Sequence, residues 1–216
     1  MRMYLITGFS ILLMLSSCLT IVQPLITQNN IITDNRIEGL WNGSDSKTIL
    51  VQKFKNSKFK NIFTDPEMKD KDWKYTREDS IFITKHYVIS FRENNLDYTW
   101  LAGIAKISDQ YYLNLLPEEC LNNKGEKEYD LGKVTSSIAK LKWENNNTLT
   151  ICFLNGDYIK EIILDDKVRI RHEYDPLFGT FVITASSREL EQFLEKYGNN
   201  ESLYKGSDPI IIRRKI

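Results

Sequence analysis

The sequence predicts a mainly β fold, an antiparallel barrel or sandwich, on three observations. Short runs of β-branched and aromatic residues recur between turn signals. Several runs are joined by brief polar segments of hairpin type, at Asn94-Asn95, Ser108-Asp109 and Asn145-Asn146-Asn147. Only two stretches replace the alternation with helical spacing.

The elements follow in order. Gly39-Leu40-Trp41 opens the domain with a glycine and a large aromatic entering a strand, and Thr48 to Phe54 is β-branched and apolar. Ser80 to Phe91 alternates, with Ile81, Ile83, Tyr87, Ile89 and Phe91 on one parity and Thr84, His86 and Ser90 on the other, which places His86 towards solvent. Tyr98 to Ile107 and Tyr111 to Leu116 form one hairpin, and Thr135 to Trp143 with Thr148 to Leu154 form another. Phe181 to Thr184 reads as a late core strand, and Ile210 to Arg214 as one more. Eight or nine short strands at hairpin spacing fit a barrel or sandwich.

The helical stretches are Asp157 to Asp165, with Ile159, Ile162 and Ile163 on one face, and the segment beginning at Ser186. There Ser186 and Glu189 make a capping box, Leu190, Phe193, Leu194 and Tyr197 make an apolar stripe, and Gly198 supplies the stop. The first helix is expected to cross one barrel end, the second to bury its stripe on the sheet.

The first eighteen residues carry an address. Arg2 precedes an uncharged apolar run from Met3 to Leu15, and Ser16-Ser17-Cys18 follows. This layout resembles the signal peptide and lipobox of bacterial lipoproteins. The resemblance implies cleavage before Cys18, acylation of that cysteine and a chain tethered in the cell envelope, with Leu19 in the next position leaning to the outer membrane. Two or three acyl chains at ~0.8 kcal/mol per buried methylene hold stably. An uncleaved transmembrane helix and a plain secretory signal are the competing readings. On this basis the chain divides into a leader at 1–17, a lipidated cysteine and tether at 18–35, and a β-barrel domain at 36–216. As flexible coil the tether reaches on the order of 20–25 Å. Its apolar first half leaves packing on the domain or the membrane interface as the alternative.

Composition narrows the partners. The whole chain has 29 basic and 29 acidic side chains, and loss of Arg2 with the leader leaves 28 basic ones. Near-neutrality excludes the basic footprint of a nucleic-acid partner. Cys120 and Cys152 are read as two small buried thiols, with a disulfide as the alternative in an oxidising compartment. The Lys-rich, mixed-charge stretch 55–79 reads as a solvated loop, or alternatively as a flap for a protein partner.

Gly39 and Trp41 have the spacing of the G-x-W start of lipocalin-type barrels. The order of Gly39-Leu40-Trp41, the strand ending Leu116-Pro117-Glu118 and the Thr184-Ala185-Ser186 to Leu190 helix resembles uncharacterised bacterial lipoproteins with a lipocalin-like barrel. That resemblance covers most of 36–204 and implies a fold, not a chemistry.

Catalytic signals are few. His86 and His172 are far apart in sequence; His172, Glu173 and Asp175 would be a sparse metal set, and a loop bonding its own backbone is the expected reading. No nucleophile elbow, phosphate loop or paired CxxC occurs. The expectation is no enzyme, no metal and no cofactor. The aromatics Trp41, Phe54, Tyr98, Trp100, Tyr111 and Tyr112 include several inward residues, and Trp41, Tyr98 and Trp100 are the candidates to face a ligand or fill the core. Trp143 is expected to cap a rim. The expected function is a lipid-anchored binding module for a hydrophobic small molecule or lipid, with a structural or accessory lipoprotein contacting an envelope protein as the alternative.

Overall fold

The computed structural model describes residues 19–43, 47–57, 82–93, 96–117, 136–206 and 208–215. The fold is an eight-stranded antiparallel barrel of lipocalin-like form, with a second core packed against part of its outer wall. Twelve strands are present among the described residues: β1 Thr20–Ile21, β2 Ile31–Ile32, β3 Gly39–Asn42, β4 Thr48–Lys53, β5 Tyr87–Glu93, β6 Leu96–Ile107, β7 Gln110–Pro117, β8 Ser137–Asn145, β9 Thr148–Phe153, β10 His172–Asp175, β11 Thr180–Ile183 and β12 Ile210–Arg214. Two α-helices join them, α1 Gly156–Leu164 and α2 Ser187–Tyr197.

The barrel runs β3, β4, β5, β6, β7, β8, β9, β12, and β12 closes it by pairing with β3. Each strand lies beside its neighbour in sequence, save that β10, β11 and α2 intervene before β12. The long β6 has one edge shared: β5 takes residues 96–102 and β2 takes Ala105 and Ile104, while β7 pairs along the other edge. Closure leaves no barrel edge to template aggregation.

Register decides what faces inward, because side chains alternate strictly along a strand. Trp41 lies opposite Ile49, Ile49 opposite Phe91, and Phe91 opposite Tyr98. Ala102 then faces Leu115, Leu113 faces Ala139, Leu141 faces Ile151, and Leu149 faces Ile212. Arg214 opposite Trp41 completes the circuit. The inner core is accordingly Trp41, Val51, Tyr87, Ala102, Ile104, Leu113, Ala139, Leu141, Leu149 and Ile212, with Ile37 beneath it. Each large member contributes about 1.5–3 kcal/mol of burial.

One end is closed. A 3₁₀ turn at Asn35–Ile37 runs beneath it, and the Trp41 indole N–H donates to the Ile37 carbonyl at 2.8 Å. The Arg214 guanidinium lies 4.5 Å from the Trp41 ring centroid and donates to the carbonyls of Glu38 and Arg36. Gly39 has φ +126°, a backbone conformation that L side chains rarely adopt, so glycine is needed there. Arg36 adds a second cation over an aromatic, 4.6 Å from the Trp143 ring. Trp143 thus caps the closed end from inside the barrel.

The outward faces of β6 to β9 form the floor of the second core. Ala105, Ile107, Tyr112, Ile138 and Cys152 meet Ile159, Ile162 and Ile163 of α1 and Leu190, Phe193 and Leu194 of α2. The capping box at Ser186 and Glu189 is present in full. Gly198 ends α2 in a right-handed conformation at φ −62°, where a Cβ would collide with the Tyr112 hydroxyl; close approach, rather than a left-handed turn, demands glycine.

The structure corrects four expectations. Residues 19–35 are not a free tether: Ile21, Leu25, Ile26 and Ile31 are buried in the second core, and β1 and β2 join the two sheets. Their apolar side chains have more to gain from that wall than from solvent. The stretch 82–86 is a helical turn before β5, not the first half of a strand, so its parity is void and His86 is buried at 3 % exposure. β11 belongs to a separate sheet in the order β1-β11-β10 instead of the barrel. The segment His172–Asp175 is a strand of that sheet, not a loop.

Candidate functional site

The other barrel end, where β5 ends and β6 begins, carries a three-ring aromatic panel. The register across the β5–β6 hairpin makes Phe91 the direct partner of Tyr98, and Ile89 that of Trp100, so Phe91, Tyr98 and Trp100 share the inner face. Phe91 is centred 5.1 Å from Tyr98 and 5.1 Å from Trp100, and Tyr98 and Trp100 are 6.1 Å apart. Their planes agree within 27°. The three near-parallel rings form an offset stack, a favoured arrangement of aromatic pairs.

The panel is not sealed in. Tyr98 is 37 % exposed and Ile210, also on the inner face, is 40 % exposed, whereas Trp41 at the closed end is fully buried. Between the two levels Ile49, Ile89, Leu115, Ile151 and Phe153 are partly buried against the inner core. Below them Ala102 and Ala139 are the smallest side chains of a closely filled floor. The interior is therefore solid at one end and lined by half-exposed apolar groups at the other. The Tyr98 hydroxyl and, by register, Ser137 are polar groups at this mouth.

Of the three candidates read from the sequence, Trp41 belongs to the floor while Tyr98 and Trp100 line the mouth. Tyr111 also points inward, beside Arg36 at the closed end. Phe54 and Tyr112 do not: Phe54 packs on the outer wall against Val88 and Leu101, and Tyr112 lies in the second core. Phe91 was missed as a site residue. Its signal was available, because a two-residue turn at Asn94-Asn95 fixes the pairing that puts it against Tyr98. Those two turn residues lie outside the described ones, as do Cys18, Cys120 and most of 55–79.

Both histidines and Asp175 are bonded to nearby backbone groups. His86 Nδ1 lies 3.1 Å from the Phe82 carbonyl, and burial pulls its pKa down to about 4. The His172 Nδ1 is 2.9 Å from the Ile170 carbonyl, and Asp175 accepts from its own turn amides. Among the described residues no group of three His, Cys, Asp or Glu side chains is placed to hold a metal. Cys152 is a buried free thiol whose pKa burial raises. At the closed end the Tyr87 hydroxyl donates to the Asp34 carbonyl and accepts from the Asp34 amide, and burial pushes its pKa up to about 12. Burial opposes ionisation of Asp34, yet hydrogen bonds from Arg36 and its charge outweigh this and hold the carboxyl below its usual range.

No helix among the described residues is long and apolar enough to cross a membrane. No family model matches the chain, and no curated protein or solved structure matches it significantly. The arrangement defines a class on geometry alone: a closed β-barrel with a filled floor and an apolar, aromatic mouth.

Proposed function

We propose that this chain is a lipid-tethered protein of a bacterial envelope, held through Cys18 at the outer membrane, whose barrel mouth binds a hydrophobic small molecule or lipid. The carrying observation is the Phe91, Tyr98 and Trp100 panel on the half-exposed inner face. An apolar ligand entering the mouth would pack against this offset stack and the half-buried aliphatic side chains beside it, and the floor of Trp41, Ala102 and Ala139 would limit how deep it enters. Binding needs neither a cofactor nor a metal, and catalysis is not part of the proposal.

The test is titration of the protein with a polarity-sensitive fluorescent fatty acid, followed by competition with unlabelled lipid. The expected result is saturable binding that weakens roughly tenfold in a Trp100→Ala variant that still unfolds cooperatively, because a central aromatic anchor carries much of a binding energy. Non-saturable binding, or equal binding by wild type and Trp100→Ala, removes the mouth from consideration. The tether is tested separately: a fatty-acid analogue should label the chain in cells and fail to label Cys18→Ala.

A structural or accessory role with an envelope protein is the second reading. It draws on the exposed outer-wall residues Leu40, at 44 %, and Ile211, at 37 %. Crosslinking in membranes that returns one stoichiometric partner would favour it.

A further inference from the structure

Among the described residues, the most exposed large apolar groups are not at the mouth. Leu177 is 89 % exposed and Phe178 is 83 % exposed, adjacent at the tip of the β10–β11 hairpin. Such a pair on an ordinary surface turn costs hydration and returns nothing to the fold. The tip is nonetheless well built. The Asp175 carboxylate accepts from the amides of Leu177 at 2.8 Å and Phe178 at 3.4 Å, Gly179 turns the chain at φ +67°, and Lys160 of α1 donates to the Gly179 carbonyl at 3.2 Å. Just behind it Tyr174 is 40 % exposed under the Lys160 ammonium, 4.9 Å from its ring centroid. An apolar point, then an amphipathic aromatic, then a cation is the sequence of groups met on leaving a bilayer.

A second, independent observation concerns direction. β1 pairs with β11 in parallel, Thr20 beside Val182 and Ile21 beside Ile183. Followed backwards from Ile183 to Thr180, β11 leads to the tip; followed backwards from Ile21 to Thr20, β1 runs the same way. The chain therefore enters this sheet from the tip's side, and Cys18 is only two residues before Thr20. Both features point one way.

From these observations we infer that the β10–β11 tip is a membrane-inserting finger that seats Leu177 and Phe178 in the interfacial layer of the bilayer to which Cys18 tethers the chain. The inference rests on the lipid-tether reading for the identity of that surface. Exposed Glu173 and Asp175 bracket the tip from β10, so only the turn can enter, a depth on the order of 5–10 Å. Arg169 and Arg171 are exposed before β10, Arg171 lying 3.6 Å from the Glu189 carboxylate. The tip adds an orienting contact that fixes how the barrel stands on the membrane.

The experiment uses the full chain carrying Phe178→Trp, reconstituted in vesicles of phosphatidylethanolamine and phosphatidylglycerol with or without brominated acyl chains. The unsubstituted chain, with its four native tryptophans, is the blank. Acyl labelling and vesicle flotation are read on the same sample. Shallow insertion predicts that the added emission falls roughly twofold in brominated vesicles, most for bromines nearest the headgroup. An acylated, floating chain whose added emission ignores bromine overturns the finger and leaves the tether intact. An unacylated chain whose added emission is still quenched on adding vesicles overturns the tether and supports the finger. Emission that shifts with protein density but not with bromine means that a second copy covers the tip, and also overturns the inference.

Discussion

Asn114 ties the N-terminal segment to the barrel wall. It sits on the outer face of β7, 2 % exposed, and its Oδ1 accepts from the amides of Leu25 at 2.8 Å and Ile26 at 3.3 Å. Its amide nitrogen donates to the Ser136 hydroxyl. A buried N–H without a partner costs about 1–3 kcal/mol. Asn114→Leu should therefore cost about 2–4 kcal/mol in urea denaturation; a loss under 1 kcal/mol would mean that the 25–26 segment is not bound there. His86 makes a second residue-scale prediction, on pH. Desolvation lowers its folded pKa to about 4 from 6.5, so between those values the unfolded chain takes up a proton that the folded chain refuses. The stability it contributes is complete above pH 6.5 and is lost as pH falls towards 4. Relative to His86→Gln, wild type should lose roughly 2–3 kcal/mol between pH 7.5 and 4.5, and a flat difference would place His86 in contact with water. Neither residue was legible in the sequence. Asn114 looks like any strand asparagine until Leu25 is laid against it, and His86 was assigned by a parity that a helical turn interrupts.

At the scale of elements, legibility followed the range of the determining forces. The hairpins at Ser108-Asp109 and Asn145 to Asn147 and the helix from Ser186 were readable because each is fixed by residues within a few positions. Ser108 takes φ +52° at the turn, the Asn145 side chain accepts from the Asn147 amide, and Ser186 and Glu189 bond each other's backbone. For the segment 19–33 the apolar first half left packing on the domain open, as observed, but did not give the place, since its partners lie in β6, β7, β11 and at Ser136, far along the chain. Gly103 shows how closely it seats: a Cβ there would meet Ile26 at 2.9 Å and His86 at 3.2 Å. Hydrogen exchange separates the two readings of this segment. Val22 donates to the Ile183 carbonyl at 3.1 Å and Ser136 to the Ile21 carbonyl at 2.8 Å. The amides of Val22, Leu25 and Ser136 should be protected nearly as well as those of the central barrel strands. Exchange at free-peptide rates would restore the tether.

For the whole molecule the question is whether barrel and helices are one cooperative body. The inner faces of β6 to β9 hold Ala102, Ile104, Leu113, Ala139 and Leu149, and the outer faces of the same strands hold Ala105, Ile107, Tyr112, Ile138 and Cys152. A shared wall of this kind cannot lose one core and keep the other, because each strand depends on both faces for burial. Lys140 ties them again: its ammonium, 3 % exposed on the outer face of β8, donates to the Gly198 carbonyl at the end of α2, at 3.0 Å. That bond places a cation at the helix C-terminus, where the backbone dipole favours it. Burial lowers the Lys140 pKa, and the nearby Glu201 carboxylate partly restores it. A single unfolding transition is therefore expected, with far-UV dichroism, reporting helix and sheet, superimposing on near-UV dichroism, reporting the packed aromatics. Leu25→Ala in the outer core and Leu141→Ala in the inner core should each cost about 2–5 kcal/mol and shift both signals together. If Leu25→Ala moves only the far-UV signal, the N-terminal segment and helices form a separable layer, and the barrel must stand alone.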